Sequence, residues 1–416
     1  MRSIQHILTR QQKPLNIIYV SSYIPRKCGI ATYTKDLTNA INLMNSHSLA
    51  EIMVITPSYE HEALDYPWEA KYKISQDDPS DYVNAAQYVN LSHADLVVLE
   101  HEFGLFGGEA GEYIVHFAEV LNKPLVTTFH TVPQEHIGKM AKVLRRLSAK
   151  SRVVTVMMET VAKKLVSNYH IPRNKVVVIP HGVPDLPFNS TKAYKAKRRL
   201  GGRIVLGNIN LLHRNKGIEY ALEAVALIVR HHPELLYVCI GQSHPGVLRQ
   251  EGEAYRNFLK KRVRELGLKK NVLFVNKYLS LKDLTEWLKT IDIYITPYLD
   301  PQQITSGALA YAVGAGKACI STPYLYAKEV LANDRGMLVP WRDPQALSEA
   351  ISELLNNPAK KREMEKLAYQ YGRLMTWPHV GNQHLNLFRT ILTRTPVRTP
   401  APRDRHGDSL LPSFQH

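Results

Sequence analysis

Short β-branched runs alternate with stretches of helical periodicity along most of this chain, and they do so in two blocks. The first block has strand-like runs at Leu15–Val20, Ile52–Thr56, Asp95–Leu99, Pro124–Phe129, Val153–Met157 and Val176–Ile179, with helical stretches such as Thr32–Met44 and Gly111–Leu121 between them. The segment Pro187–Gly202 breaks the pattern with Pro, Asn, Ser, Lys and Arg and reads as a linker. The second block repeats the alternation: strands at Arg203–Asn208, Leu235–Gly241, Val272–Val275, Ile291–Thr296, Lys317–Ser321 and Gly336–Val339, helices at Gly217–His231, Asn257–Leu266, Ser280–Lys289, Gly307–Ala315 and Asp343–Asn356. Strands alternating with helices imply βαβ units and parallel sheets covered on both faces. A chain of 416 residues is also too long for one ordinary core. The predicted fold class is therefore α/β, two doubly wound Rossmann-like domains over residues 14–188 and 200–377. Such sheets bind ligands beyond the carboxyl ends of their strands, here in the cleft where the domains face. Trp377-Pro378 should break the helix Lys360–Met375, and the proline-rich tail 395–416 reads as disordered.

Charge narrows the partners. With 53 Lys+Arg against 37 Asp+Glu, the formal charge of +16 favours anions: nucleotides, phosphorylated or acidic sugars, anionic lipid, or nucleic acid. No zinc-finger, helix-turn-helix or aromatic RNA-binding pattern is present, so a nucleic-acid partner is not expected. Cys28, Cys239 and Cys319 are odd in number and far apart, which suits a reducing cytoplasm rather than a disulfide framework. No apolar run reaches spanning length, and Met1–Lys13 lacks the apolar block of a signal peptide.

The polar signals cluster just after strands. Pro25-Arg26-Lys27-Cys28-Gly29 opens a helix after the first strand, where a glycine lets backbone approach an anion; a plain strand-to-helix turn is the simpler alternative. His101-Glu102, in a glycine-rich loop, suits hydroxyl recognition on an acceptor, or is a surface loop with an internal hydrogen bond. His130 ends the run Thr127–Phe129 and faces the expected cleft, although a satisfied core histidine has the same pattern. Pro180-His181-Gly182-Val183-Pro184 reads as a hinge. In Asn210–Gly217, Arg214, Asn215 and Lys216 precede a helix and make a diphosphate clamp. Gln302-Gln303-Ile304-Thr305-Ser306-Gly307 leads into a helix rich in small residues and offers several N–H groups to phosphate.

In this order the segments resemble the retaining, nucleotide-sugar-dependent glycosyltransferases of family four, which have the GT-B architecture. The resemblance spans roughly Asn16 to Arg389 and rests on the Gly29 loop, His130, Ile179–Val183, Asn215-Lys216-Gly217 and Tyr311–Thr322. It implies an N-terminal acceptor domain, a C-terminal donor domain and a return helix over 378–394. It further implies hexosyl transfer, mannose or glucose, from a nucleotide diphosphate sugar to a saccharide or lipid-linked acceptor, with retention and without metal or other cofactor. Lys216 and the amides near Ser306-Gly307 would hold the diphosphate, with Arg214, Asn215 and Thr305 beside them. His130 would touch the transferred sugar, and Gly29 would lie near the phosphates.

Two departures stand out. The family's paired glutamates, eight positions apart, are replaced by Gln303 and Tyr311, and its arginine before the lysine is Leu211. The insertion His244–Arg256 stands where the family has a shorter loop and could rebuild the donor pocket. A GT-B enzyme acting on a sugar phosphate, phosphorylase- or epimerase-like, is the competing expectation; a basic anion- or nucleic-acid-binding protein is the alternative of another class. In Lys139–Lys150, Met140, Val143, Leu144 and Leu147 form one apolar stripe and five basic residues fill the other faces. The stripe serves either the core or a peripheral dock on the anionic inner face of the membrane.

Overall fold

A computed structural model describes residues 13–57 and 64–393; the expected disordered tail 395–416 lies outside the described residues. Seven strands form the first sheet: β1 (Ile17–Ser21), β2 (Glu51–Thr56), β3 (Ala70–Ser75), β4 (Leu96–His101), β5 (Leu125–Phe129), β6 (Val153–Val156) and β7 (Val176–Val178). Six form the second: β8 (Ile204–Ile209), β9 (Leu235–Ile240), β10 (Val272–Val275), β11 (Ile293–Thr296), β12 (Ala318–Ser321) and β13 (Met337–Leu338). Their orders, β3-β2-β1-β4-β5-β6-β7 and β10-β9-β8-β11-β12-β13, reverse direction beside β1 and β8. Every pairing is parallel. The architecture is thus two Rossmann-like domains of the GT-B kind, each with a crevice at its switch point. The central strands β1, β4, β5 and β6 are buried along their whole length, as sheets covered on both faces require.

The chain crosses between domains twice. The first crossing follows β7; the second joins the helix Pro358–Arg373 to the return helix Trp377–Thr393. The break expected at Trp377-Pro378 is present: one helix stops at Arg373 and the next starts at Trp377, with Pro378 in its first turn, where its missing N–H is unneeded. The crossings touch. Val183 N–H donates to Met375 O (2.8 Å) and Trp377 N–H to Val183 O (2.9 Å). A Cβ at Gly182 would stand 2.1 Å from Trp377 Cε3, so only glycine fits under that ring.

Three expectations need adjusting. The linker Pro187–Gly202 contains a helical turn, Lys192–Lys197, pinned to the second domain by Lys195 and Thr191 on Asp292 (2.9 and 2.7 Å). Edge strand β3 was not anticipated. In the helix Gly138–Lys150, Val143, Leu144 and Leu147 are buried in the core, so most of the apolar stripe is already covered. On its basic face Arg146 pairs with Glu119 (2.5 Å), Lys139 with Glu109, and Arg145 donates to His136 O.

Candidate active site

The cleft between the domains holds a cavity of about 540 Å³. Its N-domain wall begins at the Gly29 loop. Cys28 caps the helix Gly29–Met44, its Sγ accepting from Ala31 N–H (3.3 Å), which leaves the N–H groups of Gly29 and Ile30 turned out of the first turn. Gly29 lines the cavity, and a Cβ there would meet nothing within 4 Å.

The end of strand β4 and the residue after it send three successive polar residues to different surroundings. Glu100 is fully buried and accepts a hydrogen bond from His130 Nε2 at 2.8 Å. His101 points the opposite way, its ring 4.7, 5.5 and 5.4 Å from those of Phe103, Phe106 and Phe129. Burial, with His130 adding to it, holds the His101 imidazole down to about 3. The expectation that His101 meets an acceptor is therefore corrected: it is a neutral core ring outside the cavity. Glu102 does line the cavity, accepting from Thr131 Oγ1 (2.7 Å) and Phe103 N–H (3.0 Å).

His130 and His181 both line the cavity, one after β5 and one after β7. The ring of Tyr33 stands edge-on to both, 4.9 and 5.2 Å between centroids, and to Trp377 at 5.4 Å. His181 Nδ1–H donates to Gly182 O (2.7 Å), and burial lowers the ring to about 4, so Nε2 is an acceptor. The hinge reading of His181 was incomplete: its ring belongs to the site.

The C-domain wall departs further from expectation. Asn210 and Leu211 line the cavity, but Arg214, Asn215 and Lys216 do not. Arg214 turns outward to Glu251 (3.3 Å), and Asn215 is exposed, its carbonyl accepting from Leu299 N–H (2.9 Å). Lys216 Nζ lies 3.8 Å from the Tyr298 ring centroid, behind the lining. Burial lowers it to about 8, with Asp300 pulling the other way. The turn that carries it closes at Gly217 (φ +61°), where a Cβ would strike Pro297 O. The insertion also acts from behind. Arg256, 2% exposed, donates Nη2–H to Gly241 O (2.9 Å), and Gly241 and Gln242 do line the cavity.

Opposite Gly29 stands a second helix start. Ser306 caps the helix Gly307–Gly314, its Oγ accepting from Leu309 N–H (3.3 Å), and Gly307 and Ala308 face the cavity. Ser306 itself is buried behind them. Gln303 lines the cavity with its Nε2 donating to Thr305 O (2.9 Å), while Thr305 Oγ1 donates to His130 O across the domains (3.2 Å). Tyr311 reaches the cavity edge, but its hydroxyl donates to Asp36 Oδ2 of the first domain (2.7 Å). Sequence reasoning missed the loop Lys277-Tyr278-Leu279 after β10 and the apolar wall Leu284 and Leu288. A polar loop after a predicted strand was the available signal.

Comparison with known proteins agrees with this arrangement. The description "Glycosyltransferase Family 4" matches residues 29–185, and "Glycosyl transferases group 1" matches residues 190–371. D-inositol 3-phosphate glycosyltransferase of Corynebacterium urealyticum is 26% identical over 54% of this chain and 52% of its own. The Thermobispora bispora protein of the same name is 24% identical over 67% of each chain. The chain thus spans about half to two thirds of the length of these curated relatives. A glycosyltransferase from Rickettsia africae superposes with a TM-score of 0.72 at 16% identity, covering 92% of this chain and 100% of that one. Anabaena HepE in complex with UDP gives 0.68 at 14% identity, over 90% and 100%. With matched segments filling both domains around one cleft, the chain belongs to glycosyltransferase family four.

Proposed function

We propose that the protein transfers a hexosyl group, mannose or glucose, from a nucleoside diphosphate sugar to a saccharide or lipid-linked acceptor, with retention. One observation carries this reading: two helix N-termini, at Gly29 and Gly307, open from opposite domains into a single cavity beside two histidines. Helix N-termini stabilise an anion through unsatisfied N–H groups and the macrodipole. A diphosphate leaving group between them would be held without a metal, with Lys216 adding positive potential from behind the lining. Gln303 and His130 would position the transferred sugar, and Glu102 the acceptor. Catalysis of this kind rests on placement and charge stabilisation, not on a protein nucleophile.

Supporting names come from relatives: a Rhizobium mannosyltransferase is 25% identical over 44% of this chain, and HepE has been seen with UDP-glucose. Incubation with GDP-mannose and UDP-glucose, reading release of free nucleotide with and without saccharide acceptors, tests the proposal. No release and no thermal shift with either donor would overturn it.

A second reading has one observation in its favour. Neither replaced glutamate position presents a carboxylate: Gln303 is neutral, and Tyr311 is committed to Asp36. That suits a changed anionic load in the site, as with a sugar phosphate. Turnover with hexose 1-phosphates and none with nucleotide sugars would select it.

A further inference from the structure

Glu100 is a carboxylate in a place that disfavours one. It is wholly buried in β4, and its Oε1 has no hydrogen-bond partner among the described residues. Buried carboxylates are costly unless paired, so a half-satisfied one in a sheet interior calls for an explanation. Its other oxygen holds His130 Nε2 at 2.8 Å, with side chains 0% and 3% exposed. Around it stand Tyr19 from β1, Tyr33 from the first helix and His384 from the return helix. The Tyr19 hydroxyl is raised by burial and further by the Glu100 charge, so it stays protonated. The His384 imidazole is lowered by burial, with Glu100 only partly opposing this. His130 provides the one side-chain bond the carboxylate has among the described residues, and the carboxylate in turn fixes the ring.

Resting on the transferase reading, we propose that Glu100 is a positioning residue: it binds the Nε2–H edge of His130 and so presents Nδ1 to the cleft as an acceptor for a sugar hydroxyl. The imidazole has two distinct nitrogens, and the bond made by one decides the role of the other. Nδ1 has no partner among the described residues, while His130 lines the cavity. The backbone supports the same orientation, since His130 N–H donates to His101 O (3.0 Å) and its own carbonyl accepts from Thr305.

The test is a double-mutant cycle joined to nitrogen NMR of histidine-labelled protein. Glu100→Gln should lower kcat about 100-fold, the scale of losing one preorganised hydrogen-bonding group in a site, and Glu100→Gln/His130→Ala should be no slower than His130→Ala alone. In the wild type, the signals that vanish in His130→Ala should show a protonated Nε2 and a bare Nδ1. The Nε2 proton should be strongly deshielded and should lose that shift in Glu100→Leu. Additive losses in the cycle, or a protonated Nδ1 in the wild type, would overturn the proposal. The NMR arm needs no turnover, so it separates failure of this pairing from failure of the transferase reading.

Discussion

Lys216 holds its charge where burial works against it. Its ammonium lies over Tyr298 and is lowered to about 8, so it begins to lose its proton near neutral pH. A diphosphate nearby would favour the charged form, and donor binding should then take up a proton at pH values around and above 8. Affinity should fall as pH rises through that value. Calorimetry of donor binding in two buffers of different ionisation enthalpy checks this, and proton-neutral binding at pH 8 would show that Lys216 does not feel the anion. Lys216→Ala should reduce turnover about 100-fold or more, the scale of a lost charge-stabilising group in a dry site. Gln303 makes a companion case. Gln303→Glu restores the family's usual residue beside the proposed transferred sugar, and donor preference or rate should change; if neither Gln303→Glu nor Gln303→Ala alters either, Gln303 does not touch the donor sugar. At this scale the sequence was legible where a residue follows a strand, as with His130. It misled where one step along the chain decides the outcome: Glu102 lines the cavity while His101 is buried among core aromatics. His181 was hidden by the turn chemistry of its Pro-His-Gly-Val-Pro setting.

The helix Gly307–Gly314 is positioned by the absence of side chains. A Cβ at Gly372 would stand 2.6 Å from Gly314 Cα, so this helix and Pro358–Arg373 meet backbone to backbone. Gly372→Ala should destabilise the protein by about 1–3 kcal/mol, the usual cost of overpacking, and should draw Gly307 out of place. A lowered melting temperature together with weaker donor binding is the expected pair of results; an unchanged melting temperature would mean the helices separate freely. The run of Ala and Gly made this close approach readable beforehand. Strand β3 was not, because Lys71 and Lys73 alternate with Tyr72 and Ile74, as an edge strand with one wet face allows. The helix Gly138–Lys150 posed the converse problem, since an amphipathic stripe looks alike whether it meets a core or a membrane. With Val143, Leu144 and Leu147 buried, co-sedimentation with phosphatidylglycerol vesicles should show no binding that Arg145→Gln/Arg146→Gln abolishes.

The two domains are bridged by specific polar bonds as well as by the chain. Tyr311 donates to Asp36, Thr32 and Tyr278 share a bond of 3.0 Å, and Glu329 accepts from Thr160 Oγ1 (2.6 Å) and from Glu159 N–H (2.8 Å). Tyr311→Phe leaves a buried Asp36 without its donor, a loss of about 1–3 kcal/mol. It should also enlarge the radius of gyration seen by X-ray scattering; an unchanged radius would mean the other bonds suffice. The two-domain plan itself could be read from the repeated strand–helix pattern, but the bridging bonds could not, because they join residues far apart in sequence with no local signature. The doubled crossing has a mechanical consequence. Val183 is bonded to Met375 and Trp377, with the Trp377 ring seated on Gly182, so the two links run side by side as one pin. A body joined by a single strand turns in any direction. Two strands fused along one short line leave a single axis, so any change in the width of the cleft has to be a rotation about it, like a door on its pin.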